Sequence, residues 1–565
     1  MRFFRRHKRH TSDIDPDEIF LDSKNLPNFN TQQFEGRLER AIPKRSIILL
    51  GVFFATVGVL FIGRLGVLQI AKGDFYVKKS ENNTLIKQPI FADRGLLYDR
   101  NETLLAWNIW DPADTNKFSS PIRAYIKEPG FGLLLGYVSA PAKDSSGRYW
   151  RDVFIGQDGI EKAYTNELTG TNGVRITETD VAGNIQAENI ISPPKPGDNI
   201  ILSIDARVQK KLYESIASMA HNSSFSGGAG VIMDAYTGEL LALTSYPEYN
   251  SNILSNRSDK KVVSGYFSDK RKVFLNRAVS GLYTPGSIVK PFVAYGALEE
   301  KVISPLKSIF ANGTISIPNP YFPDKKSIFK DHDVFGYVDM REAIAVSSDI
   351  YFYEIGGGYQ DQKGMGILNI DKYSKLFGIG DKTGIDLGGE KVGIIPTPEW
   401  KAKTFKGEPW RVGDTYNTSI GQYGFQVTPI QMARAVAGIA TNGILPTPHV
   451  RRDYEEYKNR IQTIEINQES MTVVWEGMRM AVTEGTARAL NLPSVKVAAK
   501  SGTAQIGFGN TNTNSWIVGF FPYESPRYVF VVLMERGPKS ASGNATRVMA
   551  EVLDFMSVYT PEHIQ

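Results

Sequence analysis

The stretch Ala229–Thr244, AGVIMDAYTGELLALT, decides the fold class because it places two apolar runs around a polar, glycine-containing turn. Such a pattern is typical of a β-hairpin. Similar apolar runs return near the end of the chain, where they precede a helical segment. Strands at both ends of a domain, with helices between them, predict an α+β fold whose sheet joins the two ends. The later runs are Val495–Ala499, Ser515–Phe520 and Tyr528–Met534, and the predicted helix is Ala545–Met556.

The composition is that of an ordinary globular protein and excludes several functions. The 565 residues favour three or four domains, each large enough for its own core. Apolar residues make up 42% and charged residues 22%, which excludes long disorder. The net charge, 65 − 60 = +5, is too small for a dedicated nucleic-acid binder. Cysteine is absent, so disulfides, zinc–thiolate sites, iron–sulfur clusters and a cysteine nucleophile are excluded, while the redox compartment stays open.

One apolar segment is long enough to cross a bilayer. Residues Ser46–Gly63 read SIILLGVFFATVGVLFIG without a charge, and the apolar character resumes after Arg64 through Leu65–Ile70. The alternatives are a buried core helix and a cleaved signal peptide, but a signal peptide has a shorter apolar region followed by a small-residue cleavage site. We therefore expect a retained transmembrane helix over residues 46–70, with Arg64 near its outer end.

Basic residues crowd the N-terminal side of this segment. Arg37, Arg40, Lys44 and Arg45 lie just before it, behind a second basic cluster in residues 2–9. The positive-inside rule places the tail, residues 1–45, in the cytoplasm and everything from residue 71 onward outside the cell membrane. No second apolar stretch of this length occurs in the sequence, so we expect a single-pass anchor.

The exported part divides at a linker. Gly95–Ala106 has the pattern of a hairpin, Gly159–Leu168 that of a helix, and Ile191–Asn199 (ISPPKPGDN) that of a linker. After the linker, Ile200–Asp205 is predicted as a strand and Arg207–Met219 as a helix. We therefore expect one domain at residues 71–198 and a second at residues 199–565.

A lysine can activate a serine, and the pattern S-x-x-K puts the two side chains on one helix face. The string alone is weak because it also occurs in charged or turn-like segments. His332 is expected to be a solvated loop residue. No histidine has metal-ligand spacing, and no G-x-S-x-G supports a Ser-His-Asp triad, although sequence alone leaves a triad open. The S-x-x-K pairs include Ser258/Lys261, Ser287/Lys290, Ser304/Lys307 and Ser327/Lys330.

Ser287 has the most favourable surroundings of the four. The preceding Tyr283–Gly286 predicts a turn, and apolar residues at helical spacing follow through Leu298. The serine would then lie at a helix N-terminus, where free backbone N–H groups can hold an oxyanion. Lys290, one turn deeper among apolar side chains, would be desolvated, which lowers the pKa of a lysine. The structural alternative is a serine that only caps the helix, next to a lysine whose ammonium reaches solvent.

Two further motifs add to this signal. Lys500-Ser-Gly-Thr503 continues a predicted strand, so a lysine, two hydroxyls and a glycine on an edge strand would form a carboxylate-binding rim. Lys382-Thr-Gly384 lies in a glycine-rich turn instead and is interpreted as structural. Ser347-Ser-Asp349 ends an apolar helix that begins near Met340, and could otherwise be a polar loop or cap.

These three motifs occur in the order and spacing of class B penicillin-binding proteins, at separations of 347 − 287 = 60 and 500 − 287 = 213 residues. The sequence also resembles that family at further landmarks that cover most of residues 90–540. The third residue of the second motif is Asp349, where the family usually has Asn. In this respect the sequence is similar to the elongation-type penicillin-binding protein 2 branch. The landmarks are Arg94–Arg100, Gly159–Lys162, Met233–Glu239, Thr383–Asp386, Gly421-Gln422 and Val427–Pro429.

The resemblance implies an architecture and a reaction. The fold would be a transmembrane helix, an elongated non-catalytic pedestal of the dimerisation type, and a penicillin-binding, serine β-lactamase-like domain with a central antiparallel sheet between helices. Ser287 would attack the D-Ala-D-Ala end of a peptidoglycan stem peptide, and a neighbouring amine would resolve the acyl-enzyme. Lys290 would take the serine proton, Ser347 with Lys290 would relay a proton to the leaving amine, and Asp349 would position the substrate amide.

The resemblance also assigns the binding residues. Lys500, Ser501 and Thr503 would hold the terminal carboxylate, and Gly502 would let the substrate lie alongside the strand. The backbone N–H groups of Ser287 and Thr503 would form the oxyanion hole.

Partners and cofactors follow from the same resemblance. β-Lactams would be covalent inhibitors, and the partners would be a SEDS-family glycosyltransferase and other elongation-complex proteins in the membrane. No cofactor is expected. No metal is expected either, because the zinc site of some branch members includes a cysteine and this chain has none. A membrane-anchored β-lactamase or β-lactam sensor, and a catalytically silent scaffold of the wall-synthesis complex, remain as alternatives.

Overall fold

The computed structural model describes residues 44–81, 84–115, 119–145, 147–179, 185–322, 324–452, 454–540 and 544–564. The predicted cytoplasmic tail lies almost entirely outside these residues. Contacts divide the chain into two compact units, one of residues 1–86 with 177–188 and one of residues 87–176 with 189–565.

The first unit contains the apolar helix. It begins at Lys44, runs to Gly66 and continues through a π-helical turn, Val67–Ala71. Among the described residues it is the one helix both long and apolar enough to cross a membrane, and none of its side chains is buried. Its bounds agree with the predicted span of residues 46–70 within two residues at the start and one at the end.

Eighteen α-helices are described, together with 3₁₀ turns that include Gly286–Val289. They are α1 (Lys44–Gly66), α2 (Gly73–Glu81), α3 (Gly132–Leu135), α4 (Gly159–Ala163), α5 (Thr165–Leu168), α6 (Ala206–Asn222), α7 (Ser251–Asn256), α8 (Lys260–Ser268), α9 (Lys290–Glu299), α10 (Met340–Val346), α11 (Asp349–Gly357), α12 (Gly366–Leu376), α13 (Pro398–Thr404), α14 (Val412–Ser419), α15 (Pro429–Ala440), α16 (Tyr454–Lys458), α17 (Gln468–Thr483) and α18 (Ala545–Tyr559).

The described residues form twenty-two strands, many of them very short. They are β1 (Thr84–Ile90), β2 (Leu97–Tyr98), β3 (Leu104–Ile109), β4 (Ile122–Tyr125), β5 (Val138–Ser139), β6 (Ala142–Lys143), β7 (Tyr149–Arg151), β8 (Ile155–Gly156), β9 (Gly173–Thr179), β10 (Ile185–Ser192), β11 (Ile200–Ile201), β12 (Gly227–Asp234), β13 (Leu240–Tyr246), β14 (Ile309–Ala311), β15 (Thr314–Pro318), β16 (Lys326–Lys330), β17 (Gly336–Val338), β18 (Ile444–Leu445), β19 (Gln462–Thr463), β20 (Ala498–Ile506), β21 (Asn512–Phe521) and β22 (Tyr528–Pro538).

The N-terminal part of the second unit is organised around a small sheet in the order β11-β2-β3-β4. The predicted hairpin in residues 95–106 is confirmed, because β2 and β3 pair antiparallel. A buried charge cluster lies beside this sheet, where Glu161 accepts from Arg94 at 2.6 Å and from Arg123 at 2.7 Å. Burial raises the pKa of Glu161, but the two guanidinium groups outweigh it and hold that pKa below its ordinary value.

The predicted strand Ile200–Asp205 is largely wrong. The strand itself covers Ile200–Ile201, which runs parallel to β2, and Leu202 adds an isolated antiparallel bridge to Arg451. The strand pattern ends early because Asp205 caps α6, accepting a hydrogen bond from the backbone N–H of Arg207.

The main sheet joins the two ends of the second domain, as predicted. Its strand order is β13-β12-β22-β21-β20, and all neighbours are antiparallel. The strand expected at Val495–Ala499 begins later, at Ala498, and continues to Ile506, so the whole Lys500–Thr503 motif lies on it. β20 is an edge strand of this sheet, which leaves one side of its backbone open to a ligand.

Helices cover both faces of the main sheet, and this confirms the expected α+β architecture. Alternate residues of β22 enter different cores, with Val531 facing one and Val532 the other. The core that contains Val532 is completed by α6 and α18, and the core that contains Val531 by α9 and α15. The second of these cores underlies the candidate site.

Candidate active site

Ser287 lies in the 3₁₀ turn that leads into α9. The turn forms because Gly286 adopts a positive φ of 60°, which a glycine tolerates without strain. The expected helix N-terminal position of the serine is confirmed. Within the described residues the Ser287 hydroxyl makes no hydrogen bond, and the residue lines a cleft of about 790 Å³. The hydroxyl is therefore free to approach a ligand.

Lys290 is fully buried behind the cleft. Its ammonium donates to the Ser347 carbonyl at 2.6 Å, to Asp349 Oδ1 at 2.7 Å and, more weakly, to Ser347 Oγ at 3.3 Å. The predicted burial is confirmed. The predicted apolar surroundings are incomplete, because the amine shares its pocket with the Asp349 carboxylate, which the sequence reasoning assigned to the substrate amide.

Ser347 lies at the break between α10 and α11, as the sequence predicted for the end of an apolar helix. It adopts a left-handed conformation with φ of 65° and caps the C-terminus of α10, and Ser348 then caps the N-terminus of α11. The break brings the Ser347 hydroxyl to 2.8 Å from the ammonium of Lys500. Ser347 Oγ therefore connects the two lysines, each of which donates to it.

Lys500 is fully buried on the edge strand. It donates to Ser347 Oγ and, at 2.9 Å, to the Ser501 carbonyl. Burial lowers the pKa of Lys500 well below the ordinary value, the charge of Lys290 lowers it further, and Asp349 partly opposes both. Lys500 itself does not line the cleft, whereas Ser501, Gly502 and Thr503 do. The hydroxyls therefore form the exposed rim that was predicted, with the lysine behind it.

Close packing holds the edge strand against the Ser287 turn. A methyl group at Gly502 would lie 2.8 Å from Ile288 Cγ2 and 3.1 Å from the Pro285 carbonyl, so the strand fits here only with a glycine. The Trp516 indole on the neighbouring strand donates to the Thr284 carbonyl at 3.0 Å. These contacts bring residues Ser287 and Thr503, the two predicted oxyanion-hole donors, to one cleft.

The cleft has further walls that the sequence reasoning did not assign. Lys330 belongs to a rejected S-x-x-K pair, and Gln422 was noted only as a family landmark; both line the cleft. The other motif interpreted as structural, Lys382-Thr-Gly384, does not line this cleft, and Thr383 donates two hydrogen bonds to Glu390. The unassigned lining residues are Lys330, His332, Tyr353, Asn417, Ile420, Gln422, Tyr423, Thr486, Gln505, Asn510, Ser515, Trp516, Asn544 and Thr546.

One group of potential metal ligands lies at the cleft. Asp331, His332 and Asp349 each offer a ligand atom, all within 4.8 Å of one another. Their polar atoms already have protein partners, because Asp331 pairs with His332 at 2.9 Å and Asp349 with Lys290. His332 is half exposed, in agreement with a loop position, but it is paired and not simply solvated. These residues do not fit the cysteine-containing zinc set, and the absence of a metal stays a prediction.

Comparison with known proteins identifies the class. Residues 228–554 match the family described as the penicillin binding protein transpeptidase domain, and residues 116–202 match the penicillin-binding protein dimerisation domain. The first match covers more than half of the chain. The chain therefore belongs to the penicillin-binding protein transpeptidase family.

Similar proteins narrow the class to one branch. Peptidoglycan D,D-transpeptidase MrdA of Acinetobacter baumannii is 28% identical, over 91% of this chain and 88% of that one. The structure of Pseudomonas aeruginosa PBP2 in complex with WCK 5153 is 30% identical, with a TM-score of 0.67 over 83% of this chain and 96% of that one. The Helicobacter pylori complex of PBP2 with MreC is 26% identical, with a TM-score of 0.67 over 84% and 99%. The branch is that of penicillin-binding protein 2, as the sequence suggested.

Proposed function

We propose that this chain is a membrane-anchored peptidoglycan D,D-transpeptidase that crosslinks stem peptides through an acyl-enzyme on Ser287 and is acylated by β-lactams at the same residue. One observation carries the assignment of the residues. Ser287, Ser347, Ser501 and Thr503 line a single cleft, and the ammonium groups behind it meet at the Ser347 hydroxyl.

In the acylation step, Ser287 Oγ attacks the carbonyl of the penultimate D-alanine, and the backbone N–H groups of Ser287 and Thr503 hold the oxyanion. Lys290 in its neutral form takes the serine proton. The proton that Lys290 took from Ser287 then passes through Ser347 Oγ to the leaving nitrogen. The amide C–N bond breaks, the terminal D-alanine departs with its free amine, and Lys290 returns to its neutral form. Ser347 is suited to this relay because its hydroxyl contacts both lysines.

In the second step, the amine of a neighbouring stem peptide attacks the ester carbonyl. The C–O bond to Ser287 breaks, a new amide bond forms, and the proton lost by the amine returns to the serine oxygen through the same groups. Asp349 would orient Lys290 during both steps, since its carboxylate accepts from that ammonium at 2.7 Å. An ionised carboxylate can only accept hydrogen bonds, so Asp349 cannot donate to the substrate as the family's usual Asn can.

The substrate carboxylate would bind at the hydroxyls of Ser501 and Thr503. Thr486 supports this rim, because its hydroxyl lies 2.6 Å from Ser501 Oγ. Lys500 would contribute the charge of its ammonium form from behind the strand, where its only described hydrogen bonds are to Ser347 and Ser501. Entry of an anion beside this buried amine favours the ammonium form.

The topology is part of the proposal. The apolar helix anchors the chain, residues 1–45 lie in the cytoplasm, and the pedestal (71–198) and transpeptidase domain (199–565) lie in the periplasm of the inner membrane. The PBP2 complex with MreC supports a role in an elongation complex that maintains cell shape. Within such a complex we propose a SEDS-family glycosyltransferase as the partner that supplies the glycan strands.

The test is covalent labelling of the full-length chain in membranes by a fluorescent penicillin. Ser287→Ala is expected to abolish labelling, because the acylated oxygen is lost. Ser258→Ala is the matched control, since it lies in the same S-x-x-K string but is exposed and away from the cleft. Labelling that persists in Ser287→Ala would overturn the assignment. Rapid clearance of the label from the wild type would instead favour the β-lactamase, and absence of labelling in the wild type the silent scaffold.

A further inference from the structure

The turn that carries Ser347 needs external support. Ser347 adopts a left-handed backbone conformation, with φ of 65°, although it is not a glycine. Such a conformation is unfavourable for a residue other than glycine and persists only where its surroundings enforce it. The same turn presents the Ser347 hydroxyl to Lys500 and the Asp349 carboxylate to Lys290. Whatever fixes the turn therefore also fixes the contacts of both lysines.

Asp331 supplies this support from a different segment of the chain, the loop that follows β16. Its Oδ2 accepts from the Ser348 hydroxyl at 2.7 Å and from the backbone N–H of Ile350 at 3.0 Å. The backbone N–H of Asp349 also contacts the carboxylate. The side chain is completely buried, although no motif marked it in the sequence. One carboxylate thus holds three successive residues of the turn.

The second oxygen of Asp331 faces the cleft wall. Oδ1 accepts from the backbone N–H of His332 at 2.8 Å and lies 2.9 Å from His332 Nδ1. The carboxylate therefore accepts from the Ser348 hydroxyl and from the backbone N–H groups of His332, Asp349 and Ile350, and a charge that accepts this many hydrogen bonds is strongly anchored. Asp331 and Asp349 also present carboxylate oxygens within 4.8 Å of each other. Repulsion between these charges favours the position in which Asp349 turns to Lys290.

We propose that Asp331 is a positioning residue for the transpeptidation reaction, because its buried carboxylate holds the Ser347–Asp349 turn in the conformation that joins Lys290 and Lys500 through Ser347. The inference rests on the proposed function. Asp331 touches neither the substrate nor the reacting atoms in this account; it acts through Ser347 and Asp349. Without it the turn relaxes toward an ordinary backbone conformation, and the Ser347 hydroxyl moves away from one or both lysines.

The experiment separates positioning from folding by measuring the acylation step itself. The full-length wild type, Asp331→Ala and Asp331→Asn are titrated for active sites with a fluorescent penicillin, and the acylation rate constant and the dissociation constant of the initial complex are measured per active site. Asp333→Ala is the matched control, because Asp333 lies in the same loop, is exposed and, among the described residues, accepts a side-chain hydrogen bond only from the N–H of Val334.

Asp331→Ala is expected to lower the acylation rate constant by about 10²-fold, the usual cost of misplacing a catalytic group by about 1 Å. The dissociation constant of the initial complex should stay within about threefold, because the Ser501 and Thr503 rim is intact. The acylation rate constant of Asp331→Asn should fall about tenfold, since one amide oxygen can still accept from Ser348 and Ile350. Asp333→Ala should match the wild type.

Other outcomes would overturn the inference. If Asp331→Ala lowers only the number of active molecules or the melting temperature, with the rate constant per active site unchanged, Asp331 is purely structural. Should Asp331→Ala fail to fold, Ser348→Ala removes one of the same hydrogen bonds and should lower the rate constant about three- to tenfold; an unchanged rate constant would refute positioning. A wild type that is not acylated at all refutes the proposed function instead, so the two failures are distinguishable.

Discussion

Gly502→Ala tests whether contact between β20 and the Ser287 turn sets the geometry of the site. The added methyl group would lie 2.8 Å from Ile288 Cγ2, where ordinary contact begins near 3.4 Å. It would also lie 3.1 Å from the Pro285 carbonyl and 3.2 Å from the Ile288 backbone nitrogen. Two of the three obstacles are backbone atoms and Ile288 is fully buried, so the strand and the turn must separate.

The separation needed is about 0.6 Å, the difference between 3.4 and 2.8 Å. Ser287 is on one side of this contact and Thr503 on the other, so the movement would widen the proposed oxyanion hole. A displacement of about 1 Å can cost about 10²-fold in rate, so we expect the acylation rate of Gly502→Ala to fall about tenfold. Overpacking of this kind should destabilise the protein by about 1–3 kcal/mol.

The assay is the second-order rate constant of acylation by a fluorescent penicillin, with thermal unfolding measured in parallel. Gly265→Ala is the matched control, because a methyl group there meets nothing within 4 Å and the residue lies inside α8. That variant should be acylated at the wild-type rate and be slightly more stable. A Gly502→Ala variant with wild-type rate and stability would refute the argument that this contact positions the two oxyanion donors.

Two further predictions concern buried titratable groups. Because the pKa of Lys500 is lowered, the unfolded state binds more protons than the folded state below about pH 10, so the stability of the wild type rises with pH. Lys500→Met should therefore melt no lower than the wild type at pH 7, and the difference in melting temperature should shrink toward pH 10. Its acylation rate should fall by about 10²-fold or more. A melting temperature below that of the wild type at pH 7 would contradict this. Burial raises the pKa of Glu248 to about 7, although the backbone N–H groups of Gly130 and Gly132 oppose the shift. The folded state then retains a proton that the unfolded state loses between about pH 4.3 and 7, so stability should fall by up to about 4 kcal/mol across that window. Glu248→Gln should flatten this dependence in pH-resolved chemical unfolding, and an equally steep profile would count against it.

Local patterns in the sequence were sufficient to predict much of the fold. The hairpin of β12 and β13 was predicted because alternating apolar residues and a glycine turn act over a short distance. The strand predicted at Ile200–Asp205 is short because Asp205 is recruited as a helix cap, with His563 from the end of the chain 3.1 Å from its carboxylate. That competing contact is long-range, and no local window contains it.

In the candidate site, too, the sequence predicted the local motifs but not the contacts between distant segments. Ser287, Ser347 and Lys500 were identifiable because each lies in a short motif of chemically recognisable residues. The pairing of Lys290 with Asp349 and the anchoring of the turn by Asp331 depend on how α9, α11 and the loop after β16 pack together. Such contacts follow from the tertiary structure and leave no spacing signal. Lys330 of the Ser327/Lys330 pair also lines the cleft, although the sequence pattern did not favour this pair as catalytic.

The central claim is that the Ser287 oxygen is the atom that becomes acylated. Its most direct test is mass spectrometry of peptides from the wild-type chain after reaction with penicillin, with fragmentation that locates the added mass. We predict a single adduct on Ser287, within the peptide that also contains Lys290. An adduct on another residue, or a penicillin-treated chain in which the Ser287 peptide stays unmodified, would contradict the account.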